Sequence, residues 1–252
     1  MKKTLFLLLV ALSAICLNAN PVTPRKRYRA DFEIKAIHPA YPLDWYCQNL
    51  KFDYPGVSFR FANAKGKEIR TCIRSPFYMA FTNTFVPGSF EFYAPDGAAK
   101  LVLRKSGVIV RNLKVTEIPI GKDLALPLNY NVSGPQRNAM ISINPDKTVV
   151  FDTSISGVIE STPIPVEPGS RYRLTVVADR GSRGGKASSL LTRYYFYKSS
   201  LDRKAFSSNK EALRNGNPKK PLVYEITAPE GAKWFTIWCM WGKLRSYKFE
   251  KL

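Results

Sequence analysis

A five-residue turn that occurs twice constrains this chain more than any other feature. Residues 94–98 read Ala-Pro-Asp-Gly-Ala, and residues 228–232 read Ala-Pro-Glu-Gly-Ala. The flanking residues repeat at the same offset of 134 positions, with the aligned pairs Glu91 and Glu225, Leu101 and Phe235, Leu103 and Ile237, Val115 and Phe249, and Ile118 and Leu252. A repeat unit of this length indicates two related modules rather than a solenoid of short repeats.

Short alternating segments surround both turns. Apolar and polar residues alternate with period 2 in residues 27–34, 57–61, 171–178 and 193–197, which predicts half-buried strands. Further strands are expected at residues 99–103, 108–117, 139–143, 148–152, 161–166, 234–241 and 246–252. No segment keeps a period of 3.6 over three turns, so the predicted fold is all-β, with two tandem antiparallel β-sandwiches of jelly-roll type.

The predicted domain bounds are a signal peptide at 1–19, a first sandwich at 24–120, a linker at 121–130 and a second sandwich at 131–252. Residues 21–26 are interpreted as an unstructured lead-in. Leading strands precede Tyr172 in the second module, whereas almost nothing precedes Tyr28 in the first. The first module should therefore expose a sheet edge, covered by the second module, by residues 35–56 or by another chain.

The amino terminus has the three-part pattern of a secretory signal peptide. Two lysines precede an apolar run at residues 5–15, and cleavage is expected after Ala19. The run is too short to span a bilayer, and no later segment resembles a transmembrane helix. Cys16 follows Ile15 rather than the small residue that lipidation usually needs, so no lipoprotein is expected. The pattern predicts a secreted, periplasmic or cell-surface protein.

The charge of the chain favours acidic partners. The formal net charge is +20, and residues 180–220 carry eleven Lys or Arg against Asp202 and Glu211. A field of this sign attracts polyanions, although a solvated basic loop region gives the same composition. Because export separates the protein from nucleic acids, we expect an acidic polysaccharide or another cell-surface protein as partner, and no nucleic acid.

Few residues of this chain fit catalytic or metal chemistry. His38 is the only histidine, which excludes a His-rich zinc site, and a serine triad would have to use it. No phosphate-binding, dinucleotide-binding or EF-hand motif occurs. Glycoside hydrolysis needs two carboxylates facing each other across a cleft. The acids Glu91 and Glu225, and Asp96 and Glu230, recur in both repeats, which indicates a structural role. We expect no catalytic residue, no metal and no cofactor.

Three cysteines follow the leader. Cys47 and Cys72 lie in one module, and an oxidising compartment permits a bridge between them. Spacing alone does not show that their Cα atoms are close enough for a disulfide. Cys239 lies in an apolar run and is expected to be a small buried hydrophobe.

Four motifs together resemble a known family. They are Pro-Gly-Ser-Arg-Tyr at 168–172, the aromatic strand at 195–197, the turn at 228–232 and the closing strand at 249–252. This arrangement resembles carbohydrate-binding modules of the galactose-binding-like jelly-roll type, over most of the second repeat and much of the first. The resemblance implies a sugar-binding β-sandwich. Such modules often carry an acid before the closing strand, at the ligand face or at a structural calcium. Asn112 and Ser246 stand at those places here, which does not favour the structural calcium site of the family.

The strand after the second turn carries the candidate site. Phe235 and Ile237 should face the core, which places Trp234 and Trp238 on the opposite face. Exposed indoles stack on sugar rings, and Arg or Lys pairs with carboxylate or sulfate groups. The predicted ligand-binding residues are Trp234, Trp238, Arg193, Lys233 and Lys243. The alternative is that residues 198–220 or the first module cover both tryptophans. Trp241 is expected to pack in the core.

The leading hypothesis is a secreted, non-catalytic carbohydrate-binding protein, with acidic glycans as the favoured ligands. A second hypothesis is a structural or adhesion protein that docks another protein on the same surface. A third is an enzyme, either a jelly-roll polysaccharide lyase or a hydrolase, that would use Tyr194, Arg193 or an acid. The Gln-x-His strand typical of those lyases is absent from the sequence.

Overall fold

The computed structural model describes residues 20–37, 56–71, 77–80, 82–126, 132–133, 140–143, 149–152, 158–183, 186–209 and 213–252. Within these ranges every regular element is a β-strand and every paired strand is antiparallel, which confirms the predicted all-β class. The same ranges hold no helix that is long and apolar enough to cross a bilayer. The predicted leader, His38, Cys47 and Cys72 lie outside the described residues.

The first sandwich consists of two sheets. Its strands are β1 (Asn20–Pro21), β2 (Arg27–Ala36), β3 (Gly56–Ala62), β4 (Glu68–Ile69), β5 (Phe77–Met79), β6 (Val86–Tyr93), β7 (Lys100–Ser106) and β8 (Val108–Ile118). One sheet has the order β1-β7-β3-β4, with β5 also on β3, and the other has the order β6-β2-β8. Phe59 from the first sheet stacks on Phe90 from the second at 4.2 Å between ring centroids, so the core lies between the two sheets.

The second sandwich repeats this plan with additional strands. They are β9 (Val132–Ser133), β10 (Met140–Ile143), β11 (Val149–Asp152), β12 (Val158–Glu160), β13 (Ile164–Pro165), β14 (Arg171–Arg183), β15 (Lys186–Ser188), β16 (Leu190–Tyr197), β17 (Ser207–Ser208), β18 (Leu213–Asn215), β19 (Leu222–Thr227), β20 (Trp234–Met240) and β21 (Gly242–Lys251). One sheet has the order β10-β11-β21-β14-β15, with β19 also on β14. The other has the order β17-β16-β20-β12-β9, with β13 on β20 and β18 on β16.

The repeat in the sequence is a repeat of strand pairing. In the first sandwich β2 lies between β6 and β8, and in the second β14 lies between β19 and β21. Likewise β3 pairs with β7 as β16 pairs with β20. Both sandwiches also carry the same cross-strand ion pair, Arg27 with Glu91 at 2.7 Å and Arg171 with Glu225 at 2.5 Å. The structural role expected for the two recurring glutamates is thus confirmed.

The interpretation of residues 21–26 as an unstructured lead-in is wrong. β1 pairs with the start of β7, just as β13 pairs with the start of β20. The backbone N–H of Thr23 donates to the Tyr28 hydroxyl at 2.8 Å, and that of Glu167 donates to the Tyr172 hydroxyl at the same distance. The first sandwich therefore has a counterpart of β13 in β1.

The described part of the predicted linker lies between the sandwiches instead of spacing them apart. Leu124 and Leu126 are buried in the second core. The Arg27 guanidinium donates to the carbonyls of Asp123 and Ala125, both at 3.2 Å. Tyr93, in β6 of the first sandwich, is buried in that same second core and donates its hydroxyl to the Leu124 carbonyl at 3.2 Å. Residues 123–126 thus bind both sandwiches.

Candidate functional site

The register of β20 follows the alternation that the repeat predicted. Phe235, Ile237 and Cys239 are at most 1% exposed and belong to the second core. Alternate residues of a strand point to opposite faces, so Trp234, Thr236 and Trp238 lie on the outer face of the sheet. In the first sandwich Leu101 is buried in the core at the position equivalent to Phe235.

Trp234 is not the exposed platform residue that the sequence predicted. It is fully buried, and its indole Nε1 donates to the carboxylate of Asp96 at 2.8 Å. The guanidinium of Arg25 lies 5.7 Å from the centre of the indole ring. Both of these groups belong to the first sandwich, so the alternative that the first module covers the tryptophan is confirmed for Trp234.

The duplicated turn of the first sandwich is the centre of this contact. The Asp96 carboxylate also accepts hydrogen bonds from the Ser199 hydroxyl at 2.8 Å and the Ser200 backbone N–H at 3.0 Å. The backbone N–H of Asp96 donates to the Ser200 hydroxyl at 2.7 Å. Arg25 donates to the Val166 carbonyl at 3.1 Å. The acid of the first turn is therefore a docking residue between the two sandwiches.

Arg25 contributes to the docking from a backbone position at which the second sandwich has a glycine. Arg25 adopts a left-handed φ of 68°, and the equivalent residue in the second sandwich is Gly169, with a φ of 73°. A left-handed conformation is unfavourable for a residue with a side chain. The first sandwich carries arginine at this strained position, and its side chain reaches the second sandwich.

Trp238 lies on the outer face in a cross-strand row. It pairs with Arg193 of β16 on one side and with Glu160 of β12 on the other. The Trp238 side chain is half-buried, and Arg193 is exposed. Tyr195 lies on the same face, two residues along β16 and diagonal to Trp238, within reach of a large aromatic ring. The outer face thus combines aromatic, cationic and acidic side chains.

The structure separates the two lysines of the predicted site from this row. Lys233 is exposed and lies at the sandwich contact, where its backbone carbonyl accepts a hydrogen bond from the Arg25 guanidinium at 3.4 Å. Lys243 lies in β21, which belongs to the other sheet, opposite Asp152 and Asp179. Of the five predicted residues, Trp238 and Arg193 are therefore direct neighbours on one face.

Sequence reasoning left Tyr195 and Glu160 out of the predicted site. Residues two apart on a strand share a face, so the sequence alone already places Tyr195 on the same face as Arg193. Glu160 reaches the row because β12 pairs with β20. That pairing joins segments distant in the chain, and no local pattern specifies it.

The prediction that Trp241 packs in the core is wrong. Trp241 does not pack in the core but forms the half-buried bend after β20, with a φ of 66°, where the first sandwich has Gly107 with a φ of 60°.

Tyr194 faces the core, away from Arg193, and burial raises its pKa. A lyase base must lose its proton, so the raised pKa of Tyr194 and its opposite orientation disfavour the pair proposed for a lyase.

Cys239 is a buried free thiol, as expected from its apolar surroundings. It is 0% exposed and lies 3.6 Å from the Thr192 hydroxyl, and burial raises its pKa to about 12. Within the described part of the chain no cluster of three or more His, Cys, Asp or Glu side chains could hold a metal ion.

We expect that Cys239 does not react with a maleimide in the folded protein at pH 8, because both the thiolate fraction and the access are low. After unfolding in guanidinium the thiol should react within minutes. Mass spectrometry of the peptide that contains Cys239, before and after unfolding, measures this directly. Full labelling of Cys239 under native conditions would contradict the burial described here.

Comparisons with known proteins complete the description of the chain. No protein-family model matches the sequence, and no curated protein matches it. Among solved structures, the CBM22-1–CBM22-2 tandem domain of Paenibacillus barcinonensis Xyn10C is 10% identical, with a TM-score of 0.28, over 92% of this chain and 80% of that chain. The tandem CBM51 modules of the Streptococcus pneumoniae family 98 glycoside hydrolase are also 10% identical, with a TM-score of 0.30 and the same coverage. Similarity at this level assigns the chain to no family.

Proposed function

We propose that this protein is an exported, non-catalytic carbohydrate-binding protein that holds an acidic glycan on the outer face of its second sandwich. The observation that carries the proposal is the cross-strand row in which Trp238 lies between Arg193 and Glu160. The signal-peptide pattern of residues 1–19 supports export, and the net charge of +20 supports an acidic ligand.

The row offers three kinds of contact that sugars use. The half-buried indole of Trp238 presents an apolar ring, on which the C–H face of a pyranose can stack. The exposed guanidinium of Arg193 can donate two parallel hydrogen bonds to a carboxylate or sulfate. Glu160 can accept hydrogen bonds from sugar hydroxyls. The strands hold all three at fixed spacing, so little ordering is needed when a ligand binds.

Trp238→Ala should lower the affinity for an acidic polysaccharide by about thirtyfold, because central aromatic contacts are worth about 2 kcal/mol when truncated. Polygalacturonate, chondroitin sulfate, cellulose and galactan on an array provide two acidic and two neutral probes. Arg193→Gln should weaken binding to polygalacturonate and chondroitin sulfate, and it should leave any binding to cellulose and galactan unchanged.

Phe206→Ala is the matched control, because Phe206 is an exposed aromatic residue of the same sandwich outside the row. It should leave all binding unchanged. Equal retention of the wild type, Trp238→Ala and Arg193→Gln proteins on every polysaccharide would overturn the proposal.

A further inference from the structure

A second arginine lies beside the cross-strand row on the outer face of the second sandwich. Arg214 of β18 pairs with Leu191, and Arg193 is the next residue of β16 on the same face. Such diagonal neighbours lie about 7–8 Å apart. Both arginine side chains are exposed. The flank of the row therefore presents two cations side by side.

An apolar strip connects Trp238 to this second arginine. Met240 lies two residues after Trp238 in β20 and is half-buried. It pairs with Leu191, which is 5% exposed on this outer face and pairs with Arg214 on its other side. A ligand that stacks on Trp238 can therefore continue over Met240 and Leu191 towards Arg214.

The two arginines are not part of the plan that the two sandwiches share. The pairing of β3 with β7 and β5 places Ser58 and Met79 at the positions equivalent to Arg193 and Arg214. Neither Ser58 nor Met79 carries a charge, so the strand framework itself does not require cations at these positions. The pair of arginines distinguishes the outer face of the second sandwich from that of the first.

β18 leads into a turn that displays two lysines. The turn starts at Asn217 with Pro218 next, which are residue types favoured at the first two positions of a type I turn. The Lys220 backbone N–H donates to the Asn217 carbonyl at 3.1 Å, and the Lys219 backbone N–H donates to the Asn217 side-chain oxygen at 3.0 Å. Both lysine side chains are exposed. The backbone beneath the two ammonium groups is therefore held in one conformation.

Asn215, the last residue of β18, fixes this turn to the sandwich. It is 8% exposed, its side-chain nitrogen donates to the Val176 carbonyl at 3.0 Å, and its side-chain oxygen accepts from the Asn217 backbone N–H at 3.2 Å. Arg180 packs against the same turn, because a Cβ at Gly216 would lie only 2.8 Å from the Arg180 Cγ. The Arg180 side chain is exposed and adds a third cation at the turn.

Five exposed cations thus form a basic track that leads from the row to the turn: Arg193, Arg214, Arg180, Lys219 and Lys220. The segments that carry them, residues 180–201 and 212–220, contain no Asp or Glu. Asp179 adjoins Arg180 along the chain but already pairs with Arg245 at 2.5 Å. Clustered charge of one sign attracts a ligand of the opposite sign, and a charged track suits a polymer with repeated acidic groups.

We propose that the ligand of the second sandwich is a long acidic polysaccharide, which binds as an extended chain along the basic track. This inference rests on the proposed glycan binding at the row. Trp238 stacks on one sugar, while Arg193 and Arg214 pair with acidic groups of that sugar and its neighbour. The three cations at the turn pair with acidic groups further along the chain. A single exposed ion pair contributes little, so the affinity depends on how many cations the glycan reaches.

The test measures the affinity of the full chain for oligosaccharides of two lengths by isothermal titration calorimetry. The probes are oligogalacturonates and chondroitin sulfate oligosaccharides, each of four and twelve sugar units. Replacing Lys219 and Lys220 together by Gln should weaken binding of the twelve-unit oligomer by about fivefold and leave the four-unit oligomer unchanged. A longer oligomer also offers more overlapping binding positions, so the decisive quantity is the difference between variants at each length.

Lys65 and Lys67 supply the matched control. They are two exposed lysines in a turn of the first sandwich, where both backbone N–H groups donate to the Asn63 side-chain oxygen at 3.0 Å. Replacing both by Gln removes the same charge from the chain as the Lys219 and Lys220 substitutions do. This control should bind oligomers of both lengths like the wild type.

The outcomes separate the basic track from the row. Unchanged affinity of the Lys219 and Lys220 variant for the twelve-unit oligomer would overturn the basic track, while binding of the four-unit oligomer that depends on Trp238 would keep the proposed function. Equal weakening at both lengths would also overturn the track, and so would equal effects of the two lysine pairs. Absent binding of every oligomer to the wild type would overturn the proposed function and the track together.

Discussion

Asp96→Ala should destabilise the protein by about 3 kcal/mol, although Asp96 is only half-buried and lies in a turn. The substitution removes the acceptor of three hydrogen bonds, from the Trp234 indole, the Ser199 hydroxyl and the Ser200 backbone. Hydrogen bonds to a charged group contribute about 1.5–3 kcal/mol each, and bonds that share one acceptor are less than additive. The indole N–H of the fully buried Trp234 would also lose its partner.

The repeat supplies a matched control for this prediction. Glu230 occupies the same place in the second turn but is exposed, so Glu230→Ala should change the stability by less than about 0.5 kcal/mol. Denaturation in urea measures both variants. The indole N–H resonance of Trp234 should exchange with solvent faster in Asp96→Ala than in the wild type. Similar stability losses in the two variants would show that the acid acts within its turn and not between the sandwiches.

Phe235→Ala should be the most destabilising single substitution considered, with an expected loss of about 4 kcal/mol from the second sandwich. Its ring is fully buried and stacks on Phe249 at 4.0 Å between centroids, with further ring contacts to Tyr194 and Phe196. Truncating a buried phenylalanine costs about 3–5 kcal/mol, because the apolar transfer energy is lost and a cavity remains.

Thermal denaturation followed by circular dichroism measures this loss. Val223→Ala, on an exposed edge strand of the same sandwich, is the control and should be nearly neutral. Hydrogen exchange at the amides of β2 and β6 should show whether the loss of stability extends to the first sandwich through the hydrogen bonds of residues 123–126. A change below about 1 kcal/mol for Phe235→Ala would contradict the placement of this ring at the centre of the second core.

The strand faces could be predicted because they depend on short-range alternation. The offset of 134 positions aligned Leu101 with Phe235, and both are buried. A second offset, of 144 positions, was also readable: Pro21-Val22-x-Pro24 precedes Tyr28 as Pro165-Val166-x-Pro168 precedes Tyr172. Because the offset changes between the two halves of each repeat, an alignment at 134 positions alone does not match residues 21–26 to 165–170.

The docking of the two sandwiches could not be predicted from either repeat. The bond between Asp96 and Trp234 joins residues 138 positions apart, and nothing near either residue specifies the other. The copies of the turn differ only as Asp and Glu, yet Asp96 is engaged between the sandwiches while Glu230 is exposed. The pairing of β12 with β20, which brings Glu160 beside Trp238, is non-local in the same way.

The sequence by itself determined the all-β class, the duplication and the face on which each residue of β20 lies, because these follow from patterns within a few residues. It placed Trp234 and Trp238 on one outer face and could not distinguish them. The tertiary structure decided that distinction: the first sandwich covers Trp234, and Trp238 lies half-buried beside Arg193. Local alternation assigns a side chain to a face, but contacts between distant segments determine whether that face meets protein or solvent.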